Sequence, residues 1–522
     1  MNVGDVSTPI NPPEALGARE GDLPAYVSNG LIGLRVREMP LYAGMALVAG
    51  LAGEHPERRI EAAASAPYPL AADISVDGIW LSDQPWTVTD LKQGYDFSTG
   101  ELTSSFRYTV RDLSVVVKVT TFASRTAPSL VLQEVEVTAD AGCKLGFRSI
   151  VDINAARGRV KRRRTMTPGE AEPACDGSLL WETDGRVSEC GLALMTETSF
   201  DDCQRKVNTW DISGHLVTEY LGHARADRSV RLWQMAALVP SVVHARPDEE
   251  AVRRVARAKS TGFGALRKQN REAWVETWKG RIVVRGARAE HQALIDAAFF
   301  YLNSSAHPAS PSSTSVFGLA TWHDYHYYYG HVMWDIGLPP LILLHPEAAR
   351  AMLDFRTRSR AAAGSTARLS SRNGLQFPWE AAPMTGQEAS PGDGAAAHHE
   401  DHVSLHVARG FSLYAEITGD LAFLEQDAWP VVSGVADWFV SRTTRTRRGV
   451  EMLHAMGPAE TPQPPDNDAF SLMAGADVLR RAIRMAEDLK RPTPQAWRDV
   501  LRDLYSDPLG WRDRIPRRIQ GD

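Results

Sequence analysis

Two acidic residues in the second half of the chain directly follow a tryptophan, Asp335 after Trp334 and Glu380 after Trp379, and His331 stands three places before the first pair. A flat indole face can cover a sugar ring while a carboxylate accepts hydroxyl hydrogen bonds, so this pairing suits carbohydrate binding. The chain holds 14 Trp, several of them close to acids and histidines, which extends the same reading. The plain alternatives are a helix N-cap for Asp335, a core ring for Trp379 and a surface carboxylate for Glu380. The run His398-His399-Glu400-Asp401-His402 offers metal-ligand types. Adjacent residues entering a helix diverge, however, and the two acids suit a first helical turn, so neither a metal nor another cofactor is expected.

Other chemistries lack their motifs. There is no GxxxxGK phosphate loop and no GxSxG nucleophile elbow, which argues against nucleotide hydrolysis and serine-esterase action. Cys143, Cys175, Cys190 and Cys203 have neither metal spacing nor a disulfide framework, and read as reduced thiols. With 58 basic against 64 acidic residues the net charge is −6, a field that gathers neither nucleic acid nor anionic membrane. The short run Lys161-Arg162-Arg163-Arg164 reads as a solvated loop. The N-terminal residues resemble no secretion signal and no apolar run spans a membrane, so a cytoplasmic protein is expected.

At 522 residues the chain exceeds a single core. From about Tyr26 to Val243, β-branched runs alternate with Gly, Pro, Asp and Ser turns, and the apolar odd positions of Leu113-Ser114-Val115-Val116-Val117-Lys118-Val119 place one face inward. A large β-sandwich spanning 1–246 follows. The Glu-, Arg- and Ala-rich stretch of 247–286 predicts a helical linker. In 287–522 apolar stripes predict helices: Leu294, Ile295, Ala298, Phe299 and Leu302 form one, and Val403, Val407, Phe411, Tyr414 and Ile417 another. Long loops over 323–334 and 373–401 separate them, where function tends to sit.

Several segments in order resemble glycoside hydrolase family 65. Tyr26-Val27-Ser28-Asn29-Gly30-Leu31-Ile32-Gly33-Leu34-Arg35 is similar to its opening N-G-x-x-G turn, and Gly330-His331-Val332-Met333-Trp334-Asp335 followed by Pro339-Pro340-Leu341 is the clearest match. Phe377-Pro378-Trp379-Glu380 and Met456-Gly457-Pro458-Ala459-Glu460 complete the set. The resemblance implies a sandwich, a helical linker and an (α/α)6 barrel holding an α-linked glucoside. It also implies that Glu460 is the general acid and that Trp334, Asp335, His331, Trp379 and Glu380 line the sugar site. On its residue type alone, Glu460 is an exposed loop carboxylate.

In an inverting hydrolase the acid protonates the glycosidic oxygen while water attacks from the opposite face, the carboxyl groups standing about 6.5 to 9.5 Å apart. Met456, Pro458 and Pro462 offer an apolar setting that would keep Glu460 protonated. The chain departs from the family at Gly337, where an acidic hydroxyl acceptor is common. Neither a general-base glutamate nor a phosphate-binding Ser/His loop is found before residue 522. About seven helices can be read after residue 287, fewer than six helix pairs need, so the barrel is expected to be incomplete and its uncovered apolar faces to favour homodimerisation. Three readings stay open: an inverting α-glucoside hydrolase, a disaccharide phosphorylase, and a silent carbohydrate-binding homologue.

Overall fold

The computed structural model of the chain describes residues 25–165, 174–207, 214–286, 288–314, 318–319, 338–390, 399–459 and 463–505. These fall into two compact units. One comprises the described residues up to Pro56, Ala63–Pro311 and Phe317–Tyr325, and the other Glu57–Ala62, Ser312–Val316 and those from His326 onward.

The first unit is a β-sandwich with helices. Its eight-stranded antiparallel sheet runs Gly158–Thr165, Gly177–Thr183, Glu189–Thr198, Ser229–Pro240, Leu130–Ala139, Leu113–Ala123, Glu101–Val110, Val88–Asp96. A five-stranded sheet, Cys203–Val207, Leu216–Ala224, Cys143–Asp152, Tyr68–Val76, Ile79–Trp80, shares a core with it. Four further strands, Ala25–Ser28, Ile32–Val36, Met45–Glu54 and Glu61–Ala66, form a third sheet.

Period-two alternation builds this core. Val115, Val117 and Val119 are buried with Val135 and Val137, while Val116 is exposed and Glu136 turns outward to Arg231 at 2.8 Å. Strand Ser229–Pro240 is buried on both faces. Leu232, Ala236 and Leu238 enter the inter-sheet cores, and Met235, Ala237 and Val239 pack on the other side against Ala251, Val255, Phe263 and Leu266. Between the sheets Gln133 Nε2 donates to Gln234 Oε1 at 2.8 Å and to Leu70 O, and Gln234 Nε2 donates to Ala71 O and Ser149 Oγ, so the buried amides leave no unmet donors.

The basic run is not a loop. Residues 161–164 lie in Gly158–Thr165, the edge strand of the large sheet, where charged side chains oppose edge-to-edge association. Lys161 pairs with Glu189, and Arg162 meets Asp248 at 2.7 Å.

The helical stretch after the sandwich is two helices, α1 (Pro247–Thr261) and α2 (Phe263–Trp278), separated at Gly262, whose φ of +83° cannot continue a helix. Arg267 and Arg271 of α2 both grip Glu101 through two bonds of 2.7 to 2.9 Å, fastening the helix to the sandwich. Helix α3 (Ala289–Ser304) buries Asp296, Phe299, Phe300 and Asn303, whereas Leu294 and Ala298 of the expected stripe are exposed. The face is rotated because Asp296 takes the Arg281 guanidinium and Phe300 stacks between Phe97 and Trp274 at 4.4 and 4.7 Å.

The second unit is helical: α4 (Leu338–Leu344), α5 (Pro346–Arg358), α6 (Arg360–Leu369), α7 (His402–Thr418), α8 (Leu421–Phe423), α9 (Trp429–Arg442), α10 (Ala469–Asp488) and α11 (Gln495–Asp503). Helix α7 packs on α9 and α10. It buries Val403, Val407, Phe411 and Tyr414 as its stripe predicts, although Ile417 is exposed near its end. Gly419, at φ +66°, stops it.

Candidate active site

The two halves of the candidate site that the structure describes converge on the first turn of α7. The segment carrying Trp379 and Glu380 is fastened along its length. Leu375 N–H donates to Gly434 O on α9, Gln376 N–H to Ala363 O on α6, and Phe377 N–H to the Ser404 hydroxyl of α7 at 3.0 Å. Beyond it, Ala389 N–H donates to Glu380 O and Ala381 bridges Glu388, folding 381–388 into a hairpin. Glu380 is 2% exposed and Trp379 half-buried, so Glu380 is not the surface carboxylate its type suggests.

The acid-bearing run comes to the same turn from the other side. Met456 N–H donates to His399 O at 2.7 Å, the His402 Nδ1 donates to Met456 O at 3.4 Å, and His399 Nδ1 bonds His454 O at 3.2 Å. Gly457 is required here by close approach: a Cβ would stand 2.4 Å from an oxygen of Asp468. That carboxylate caps α10 through Ser471 N–H, so the run presses against a fixed helix terminus. Ala455, Met456 and Gly457 are buried, and the chain surfaces at Pro458 and Ala459.

The loop closes on itself at its base. Met452 and Asn467 exchange bonds, Asn467 N–H to Met452 O at 2.7 Å and Met452 N–H to the Asn467 side chain at 3.1 Å. Ala455 N–H donates to Pro465 O, and His454 N–H to the Asp466 carboxylate at 2.9 Å. His454 and Asn467 both adopt left-handed backbone, φ +50° and +58°, a conformation that costs energy unless its surroundings impose it.

Burial dominates the electrostatics. Glu380, Glu400, Asp401 and His402 are all under 9% exposed, a density of buried ionisable groups that marks functional sites. Burial drives the His402 imidazole down to about 4, with His406 beside it contributing, so His402 is neutral at physiological pH. The His406 imidazole falls to about 4 for the same first reason. Burial also raises the Asp401 carboxyl, with Arg442 opposing.

Within the 398–402 run His399 bonds His454 O, Asp401 pairs with Arg442 and His402 bonds Met456 O, while the Glu400 carboxylate stands 3.7 Å from His402 Nε2. Of the residues predicted from the sequence, Trp379 and Glu380 are adjacent in the site just described. His331, Trp334, Asp335, Gly337 and Glu460 lie outside the described residues, as does the loop 323–334. Sequence reasoning missed Ser404, Arg442, Asn467 and Asp468. Only Asp468 carried a signal, as an N-cap residue before an apolar run.

Comparison with known proteins places both halves in one group. Residues 25–277 match the N-terminal domain of glycosyl hydrolase family 65 and residues 311–508 its central catalytic domain. The kojibiose hydrolase of Flavobacterium johnsoniae is 24% identical over 90% of this chain and 68% of its own length. The protein-glucosylgalactosylhydroxylysine glucosidase of Gallus gallus is 30% identical over 51% of this chain and 39% of its own. A solved structure of a candidate kojibiose phosphorylase from the human microbiome superposes with a TM-score of 0.77 at 14% identity, covering 93% of this chain and 68% of that one.

Proposed function

The chain belongs to glycosyl hydrolase family 65, and on that premise we propose that it cleaves α-linked glucosides by inverting hydrolysis with Glu460 as the general acid. The observation that carries this reading is the convergence of the acid-bearing run and the Trp379-Glu380 segment on the first turn of α7. The relatives named as kojibiose hydrolase and glucosylgalactosylhydroxylysine glucosidase support a glucose-releasing hydrolase. In this reading Trp334, Asp335, His331, Trp379 and Glu380 hold the terminal glucose. The protonated Glu460 gives its proton to the glycosidic oxygen as that bond breaks. Water attacks the anomeric carbon from the other face and releases its proton to solvent, from which Glu460 is reprotonated, yielding β-glucose and the free acceptor.

The test is incubation of the full chain with kojibiose while both anomers are followed by NMR. β-Glucose should appear at first in excess over the anomer mixture contributed by the reducing-end glucose, at a rate independent of phosphate, and Glu460→Gln should lower kcat by roughly 10² to 10⁴. Unchanged turnover in that variant would sink the assignment of the acid. A second reading, phosphorolysis, is favoured by the fold shared with the candidate phosphorylase. It would appear as phosphate-dependent formation of glucose 1-phosphate.

A further inference from the structure

We propose that Arg442, tied to Asp401, is a positioning residue that fixes the base of the acid-bearing loop; this rests on the hydrolytic reading of Glu460. Asp401 stands at the N-cap of α7, yet its side chain makes no capping bond to the helix. It turns instead to Arg442, the last residue of α9, accepts from Nε at 2.9 Å and pairs in charge with Nη2 at 2.8 Å. The same Nη2 donates to Leu453 O at 2.8 Å and His454 O at 3.1 Å. One guanidinium thus joins the start of α7, the end of α9 and the backbone leading into the acid.

The carbonyls it holds flank the strained point. His454 is left-handed at one end of the loop base and Asn467 at the other, and residue 460 lies between them. Left-handed backbone at a non-glycine persists only when neighbours over-determine it, and Arg442 supplies two of the restraints at His454 and the residue before it. The Asp401 and Arg442 side chains are only 4% and 12% exposed. A buried ion pair is a weak source of stability but sets register well, because a shifted partner leaves a buried charge unmet. An Asp that forgoes its cap for such a pair is spent on placing the adjoining segment. As a positioning residue Arg442 acts through the loop.

The test compares full-length Arg442→Gln, Arg442→Lys, Asp401→Asn and the double variant Asp401→Asn/Arg442→Gln on kojibiose, with hydrogen exchange of backbone amides in parallel. Displacement of a catalytic group costs about 10²-fold in rate, so Arg442→Gln should lose about that in kcat while KM stays within about threefold. Arg442→Lys should recover part of the loss, and the double variant should be no worse than the worse single one. Amides of Met452, Ala455 and Met456 should exchange at least about tenfold faster in Arg442→Gln, with those of α10 unchanged.

Unaltered kcat together with unaltered exchange at those three amides overturns the proposal. So does a loss of protection spreading through α7, α9 and α10, which would make Arg442 a general structural residue. If Glu460→Gln keeps full activity, the hydrolytic reading falls and the exchange measurement alone decides whether Arg442 holds the loop base.

Discussion

Asn29 shows how much of this molecule depends on a single polar side chain in the right place. It is fully buried, and its Oδ1 accepts the N–H groups of Leu31 and Ile32 at 2.9 Å each. Its Nδ2 donates to Ser124 O and Pro128 O at 2.7 and 2.9 Å, nearly a hundred residues away. Truncation to alanine would remove the partner of four backbone groups, three of them in buried bonds. Asn29→Ala should therefore cost roughly 3 kcal/mol, seen as a lower urea midpoint at unchanged slope. The motif around it, which resembles the opening turn of a carbohydrate-active family, is explained in the first unit by this bonding. Ser404 and Arg442 work the same way in the second unit, each serving a backbone far off in sequence.

Helices α9 and α10 meet at a point where one of them has no side chain. A Cβ on Gly475 would lie 2.1 Å from the ring of Phe439, which is fully buried. Gly475→Ala should destabilise the chain by about 1 to 3 kcal/mol through overpacking, despite the better helix propensity of alanine. Combining it with Phe439→Leu should be less costly than the sum of the two, and a double-mutant cycle by thermal unfolding checks this. Elements of this kind were legible where one face is wet: the alternation of 113–119 and the stripe of α7 read directly. They were obscure where context overrides pattern. The basic run hides an edge strand because its charges are matched by Glu189 and Asp248 from elsewhere. Helix α3 is turned because Asp296 is drawn inward by Arg281. Within the site, Trp379-Glu380 could be noticed from its types, but its fastening could not, since Ser404, Gly434 and Ala363 stand apart in sequence.

At the scale of the whole molecule, three histidines among the described residues, His402 fully buried and His307 and His406 half-buried, shape the response to acid. His307 in the first unit and His402 and His406 in the second are all lowered by burial to about 4, against an ordinary 6.5. Between those values the unfolded chain binds protons that the folded chain refuses, so stability falls as pH drops from 6.5 towards 4 and is indifferent to these groups above 6.5. For the fully buried His402 the loss reaches roughly 3 kcal/mol at the lower end, and the half-buried pair contributes less. Melting temperatures should decline through that interval, and His402→Asn should start lower at pH 7 but decline less steeply. The order of the large sheet carries one more consequence. Ser229–Pro240 joins Glu189–Thr198 on one side to Leu130–Ala139 on the other. On a ribosome, the strands of residues 88–139 can assemble early as a local meander, but the seam joining them to the rest waits for the last strand made. Until about residue 240 has emerged, two apolar half-sheets stand open, and the nascent chain must be shielded or kept apart from its neighbours for that interval.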